Sequence, residues 1–218
     1  MTVQERIMQS AEALKVFPLP SAVLLPHAVM PLHIFEPRYR QLVRDALSGD
    51  RIMALAQLEP GWESHYAGRP TMQRMMCVGL IAWEEELEDG RYNILLQGVC
   101  RARLLSELPA EHLYREARVE LLPDGPYHGP EEEQLRQAVL ELAGRVPPSF
   151  SEGLLPAVAK ATGGTLADVV AAAIIPEPER RQQMLLELNV RQRLLSVIEE
   201  VGELIGRLQP LRPPGLLN

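Results

Sequence analysis

Lysine is almost absent from this chain: only Lys15 and Lys160 occur in its 218 residues. A nucleotide-binding phosphate loop ends in Gly-Lys-Ser/Thr, because the lysine and the loop amides hold the phosphates together. Neither lysine ends such a loop. A serine activated by lysine would have to pair Lys160 with Ser149 or Ser151, which sit in a proline-flanked connector with no matching motif, so Lys160 reads as a solvated surface residue. Cysteine is equally sparse. Cys77 and Cys100 stand alone in apolar, strand-like text, giving neither a zinc spacing nor a disulfide framework, and both are expected to be reduced core residues.

Aromatic residues make up 5% of the chain, so the core should be aliphatic. No apolar run approaches the length of a membrane span, and the opening MTVQERIMQSAEALK lacks a basic segment followed by an apolar one. A cytoplasmic location is the expectation. Acidic residues outnumber basic ones for a net charge of −7, a field that repels phosphate backbones and makes nucleic acid a poor default partner.

What is present is organised around Val23 to Leu47, VLLPHAVMPLHIFEPRYRQLVRDAL. Up to Phe35 the text is apolar and β-rich, with Pro26 and Pro31 confining it to an edge strand or to a strand entered through a bend. From Glu36 the period changes. Tyr39, Leu42, Val43, Ala46 and Leu47 follow the spacing of a helical face, with Pro37 suited to its first position and Gly49 to its end.

Around this segment the chain alternates strands and turns. Strands are expected at Val16 to Leu19, Met30 to Phe35, Arg51 to Leu58, Met72 to Leu87 with Gly79 as a bend, and Tyr92 to Leu105 after a turn at Glu88-Asp89-Gly90. Ala117, Val119 and Leu121 alternate with Arg118 and Glu120 in a last strand. Half a dozen short strands with bends suggest a twisted, partly closed barrel. LLPDGPYHGPEEE, Leu121 to Glu133, is the expected boundary. Beyond it the text reads as helix: one opened by Pro130 and stopped by Pro147 and Pro148, one capped by Thr165 with Asp168, one begun by Pro178, and one capped by Asn189. The last carries Leu194, Ile198, Val201, Ile205 and Leu208, a stripe sized for a packed partner.

PLHIFEPRYRQLV resembles the N-terminal domain of Lon-type proteases. DGRYNILLQGVCRARLL, Asp89 to Leu105, resembles that family's glycine-bearing hairpin, and LADVVAAAI with ERRQQMLLELNVRQRLLSVIEE resembles its helical tail. The three matches fall in the family's order and cover most of the chain. One position departs: the family usually has Pro-Gly before the second strand, where this chain has Pro26-His27, and histidine resists the positive φ that glycine accepts. The resemblance implies an α+β fold, a β-rich pseudobarrel of the PUA-like kind over 1–123 with one packed helix. A helical lobe over 130–210 ends in a long helix and is followed by a tail over 211–218. It also implies a recognition role, with the ATPase and peptidase modules that normally accompany it missing from this sequence.

No side-chain cluster suggests catalysis, a cofactor or a metal. His27 and His33 would share a face of an unbroken strand near Glu36, but Pro31 interrupts it and one carboxylate is a poor closing ligand. Glu84, Glu85, Glu86, Glu88 and Asp89 read as a solvated hairpin tip. Binding remains. Trp62, Tyr66, Met72, Met75 and Met76 gather large, adaptable side chains in and after the longest irregular segment, Glu59 to Pro70, and are the expected contacts for exposed apolar or unfolded polypeptide. The plainer reading is that they pin that loop over the core. A separate protease or ATPase is the expected partner, with the chain a monomer or a homodimer through its last helix. The alternative is a regulatory module holding a small molecule in a barrel or inter-lobe pocket.

Overall fold

In the computed structural model, which describes residues 2–65 and 68–208, six strands form one sheet. They are β1 (Leu14–Leu19), β2 (Val29–Ile34), β3 (Ile52–Leu58), β4 (Met72–Glu86), β5 (Tyr92–Glu107) and β6 (Arg115–Leu122). Their order is β2-β5-β4-β3-β1-β6, and β5 also pairs with β6, so five strands close a barrel while β2 stays outside at the edge. The sequence suggested partial closure. Full closure follows because β5 is long enough to serve two neighbours, pairing with β2 from Tyr92 to Gln97 and with β6 from Arg101 onward.

The change of partner occurs at a pair of glycines. Gly79 of β4 lies opposite Gly98 of β5, and the register shifts between Val78 and Gly79. A Cβ on Gly79 would sit 2.8 Å from the Leu96 side chain, and one on Gly98 would overlap the Leu25 carbonyl. Here the sheet bends, and its distal part, β2 with the ends of β4 and β5, leaves the barrel wall. Among the described residues the barrel interior is filled by the side chains of Leu14, Val16, Ala54, Met76, Val78 and Ala102 among others.

Two elements fix how the chain enters this sheet. Leu25 to Ala28 forms a turn, with the Ala28 amide donating to the Leu25 carbonyl at 3.2 Å, and His27 adopts φ of +64°. Histidine thus takes the conformation for which glycine is the usual choice. Helix α1 (Val3–Ser10), absent from the expected elements, begins with a capping box between Thr2 and Glu5. Helix α2 (Pro37–Leu47) has Pro37 in its first turn and buries Tyr39, Leu42, Val43 and Ala46. Its Tyr39 ring lies 4.2 Å from that of Phe17 on β1, which seats the helix on the barrel wall.

The remaining helices are α3 (Pro130–Ala143), α4 (Pro148–Lys160), α5 (Gly163–Ile174), α6 (Pro178–Leu186) and α7 (Val190–Arg207). The chain divides into two compact units, 1–124 with 176–186 and 125–175 with 187–218. The sequence reading gave all of 130–210 to the helical lobe, but α6 groups with the strands. Buried Arg101 explains this: its Nε donates to the Leu185 carbonyl at 3.0 Å and its Nη2 to that of Met184 at 3.1 Å. Gln182 adds a bond from Nε2 to the Met75 carbonyl at 3.0 Å. An arginine on an alternating strand looks solvent-facing in sequence, and here it holds the carbonyl end of a helix.

Within the helical unit α7 packs against α3 and α5 and buries Val190, Leu194, Val197 and Val201. Asn189 caps it, accepting the Gln192 amide at 3.1 Å. Two expectations fail here. The supposed connector around Ser149 and Ser151 is α4, with Pro148 in its first turn. Thr165 and Asp168 form no cap, because α5 begins two residues earlier at Gly163 and the fully buried Asp168 pairs with Arg193, Oδ1 to Nε 3.2 Å.

Candidate protein-binding face

Alternation along β2 sends Ile34 inward and leaves Val29, Pro31 and His33 exposed. Cross-strand register extends that exposed face over three strands: Val29 lies opposite Gln97, Pro31 opposite Leu95, and His33 opposite Asn93. On the other side of β5, Leu95 lies opposite Trp83 and Asn93 opposite Glu85. An apolar row, Pro31-Leu95-Trp83, therefore crosses the distal sheet next to a polar row, His33-Asn93-Glu85. Phe35 continues the face beyond His33, its ring stacked on the imidazole with centroids 6.2 Å apart.

Large apolar side chains stand exposed on this face. Val29 is 56%, Phe35 60% and Trp83 48% accessible, in a protein with few aromatic residues. Isolated exposed apolar side chains are ordinary, but several on one sheet face mark a contact surface. The opposite face of the same strands is fully used, with Ile34, Ile81, Tyr92, Ile94 and Leu96 all buried.

Hydrogen bonds hold the polar row in one arrangement. Arg91 Nη1 donates to His33 Nε2 at 3.3 Å, His33 Nδ1 donates to Asn93 Oδ1 at 2.7 Å, and Asn93 Nδ2 donates to Glu85 Oε2 at 2.9 Å. His33 is thus a link in a polar chain rather than a ligand beside His27. At the hairpin tip Arg91 bonds Asp89 through Nε at 2.6 Å, and the Arg91 backbone amide with this guanidinium holds the Asp89 carboxyl below its usual range. Glu84 is likewise lowered by its hydrogen bonds from Arg51. Both acids are carboxylates at neutral pH.

The strand edge itself is blunted. Pro31 has no amide hydrogen, so the outer edge of β2 lacks a donor at its centre, a common device against unwanted strand pairing. The edge is thus a poor template for an added strand, and the side chains over the sheet are what the face offers.

The residues expected from sequence to form a binding surface lie elsewhere. Met72 and Met76 are buried inside the barrel, and Met75 is buried on the wall where α6 docks. Trp62 opens a short 3-10 helix, Trp62–His65, and is partly buried against the barrel core. Tyr66 lies outside the described residues. The structure does not gather Trp62, Met72, Met75 and Met76 into one exposed surface. Trp83, Phe35 and Val29 of the candidate face were not among the residues expected from sequence. Their signal was present: β2 alternates, and Trp83 is an aromatic beside a run of acids.

Among the depressions bordered by described residues, two of the larger lie elsewhere on the same unit. One, of about 560 Å³, is bordered by Glu36, Arg38, Arg69, His112 and Leu113. The other, of about 530 Å³, is a more apolar groove between Ile7 and Met8 of α1 and Val99, Cys100 and Leu121. Burial pushes the Cys100 thiol up to about 11, so it is inert there at neutral pH. Among the described residues no group of three histidines, cysteines or carboxylates is placed to hold a metal, and no helix is long and apolar enough to cross a membrane.

Comparison with known proteins agrees with the fold. Lon protease of Paraburkholderia phytofirmans is 31% identical over 211 residues, covering 92% of this chain and 25% of that protein. Lon protease 2 of Sorangium cellulosum is 29% identical over 207 residues, covering 88% of this chain and 25% of that protein. The chain thus spans about a quarter of the length of these curated relatives. Among solved structures, the N-terminal domain of the Mycobacterium avium complex Lon protease matches with a TM-score of 0.68 at 15% identity, covering 88% of this chain and 99% of that one. A Lon N-terminal domain protein from Xanthomonas campestris matches with a TM-score of 0.65 at 24% identity, covering 86% and 97%. The family model described as the ATP-dependent protease La (LON) substrate-binding domain matches residues 13–202, and the chain belongs to that family.

Proposed function

We propose that this protein is a recognition module without chemistry of its own, which binds exposed apolar segments of other polypeptides. The outward face of β2, β5 and β4 is the docking surface. The observation that carries this is the grouping of Val29, Phe35 and Trp83, each about half exposed or more, on a sheet whose other side is already a core. Family membership supports the substrate class, and the filled barrel interior argues against the small-molecule reading that would use a barrel pocket. A client segment would cross both rows, covering Trp83 in the apolar row and Phe35 beyond the polar one. Unfolding and cleavage would be the work of an ATPase and protease, the activities carried in the names of the relatives.

Replacing Trp62 with phenylalanine leaves Trp83 as the single tryptophan reporter. Titration with an unfolded, apolar-rich polypeptide that itself lacks tryptophan should shift Trp83 emission to the blue. Followed instead by anisotropy of a fluorescein-labelled polypeptide, the double variant Trp83→Ala/Phe35→Ala should weaken binding about tenfold or more, as loss of aromatic anchors does at other interfaces. Binding that survives this double variant unchanged would place the recognition surface elsewhere.

A further inference from the structure

The apolar face has a charged end. Where β4 runs into the hairpin, Glu84, Glu85, Glu86, Glu88 and Asp89 follow Trp83 almost without interruption. Two of these acids are neutralised, Glu84 by Arg51 and Asp89 by Arg91. Arg38, near Phe35, is occupied by Glu36 at 2.9 Å. Arg40 is committed to the hairpin backbone, its Nε donating to the Gly90 carbonyl at 2.6 Å. Glu85, on the same face as Trp83, accepts from neutral Asn93. Glu85, Glu86 and Glu88 form no ion pair among the described residues; Glu85 shares the face of Trp83, Glu86 lies opposite Tyr92 at the tip, and the acids there outnumber Arg40, Arg51 and Arg91, so the hairpin tip keeps a net negative charge at the end of the face that carries Trp83. At the opposite end of the face Val29 meets neutral Gln97.

We propose that the segments this face takes are apolar stretches flanked on one side by arginine or lysine, with the basic residues set against Glu85, Glu86 and Glu88. This rests on the polypeptide-binding reading above and adds a selection rule to it. Charge decides between occupants. A second copy of the chain offers no basic flank on this face, since Arg38 and Arg91 are already paired with acids, and a nucleic acid would meet both that tip and a net charge of −7. An apolar segment with a basic flank satisfies both ends at once. An acidic flank meets repulsion at the tip, so the acids also reject.

The test uses three fluorescein-labelled peptides with one shared apolar, aromatic-containing core and flanks of lysine, serine or glutamate, measured by anisotropy with the full chain. The lysine-flanked peptide should bind about fivefold tighter than the glutamate-flanked one, the size expected of a few exposed pairs. That ratio should shrink as salt rises, because exposed charges are screened within about 8 Å at physiological ionic strength. In the variant Glu85→Gln/Glu86→Gln/Glu88→Gln the ratio should fall toward one, and in Glu86→Lys/Glu88→Lys it should invert. Three equal affinities, or a lysine preference that survives both variants, would overturn the selection rule while leaving polypeptide recognition standing. Failure of all three peptides to bind would overturn both.

Discussion

His27 donates its backbone amide to the carbonyl of Gly98 at 2.9 Å, and the Gly98 amide is returned to the Ala28 carbonyl at 2.8 Å. This reciprocal pair fastens the turn before β2 to the point where β5 changes partners. The same two residues carry opposite conformational burdens: His27 sits at φ of +64° with a side chain that resists it, and Gly98 has no room for one.

His27→Gly should therefore stabilise the protein by about 1 kcal/mol, since the left-handed conformation is penalised by that order for residues bearing a Cβ. In a chain of this size that is a rise of roughly 2–4 °C in melting temperature, read by calorimetry. Gly98→Ala should do the reverse, because its methyl group would meet the Leu25 carbonyl and push the turn off the sheet.

Arg101→Met should cost about 3 kcal/mol in urea unfolding. It leaves the Met184 and Leu185 carbonyls without their donors in a buried setting. Hydrogen exchange should show α6 losing protection before the barrel strands do. Equal loss across β4, β5 and α6 would mean that Arg101 supports the whole barrel rather than the docked helix.

The helical unit carries an acid-sensitive contact. Tyr127 donates to Glu131 Oε2 at 2.5 Å and Arg191 Nε to Glu131 Oε1 at 2.7 Å, and these two bonds hold the carboxyl down to about 2 from an ordinary 4.5. A carboxyl that is more acidic when folded adds stability above its unfolded value. That contribution is lost as pH falls from about 4.5 to about 2. Urea midpoints of the wild type should decline through that window. Glu131→Gln, which cannot titrate, should start lower at neutral pH and decline less steeply.

Much of the fold was legible where one residue type has one use. Pro31 marked an edge strand, Pro37 and Pro178 marked helix starts, Gly90 closed a hairpin, and Asn189 capped α7. Legibility failed where a residue's partner lies far away in the chain. Arg101 looks like a surface charge in sequence and Asp168 like a cap partner of Thr165, and both are buried because Asp168 meets Arg193 and Arg101 meets the end of α6. The prolines at 147 and 148 read as a stop and also begin a helix, because proline is favourable in a first turn.

The methionines failed for a related reason, and they give the sharpest test of where binding resides. Met72 and Met76 are four apart on β4, so they share the inward face, while Met75 faces outward beneath α6; both faces of this strand segment are covered. Period-two alternation separates a wet face from a dry one only when one of them is wet. Trp83, on the same strand beyond the bend, has a wet face. Met76→Ala should therefore lose about 2–4 kcal/mol of stability through the cavity it leaves, with polypeptide affinity unchanged once the protein is folded. Trp83→Ala should move the urea midpoint by less than about 1 kcal/mol and weaken polypeptide binding severalfold. Circular dichroism for stability and anisotropy for binding separate the two effects. A Met76→Ala protein that is fully folded yet deaf to unfolded polypeptide would return the site to the methionines.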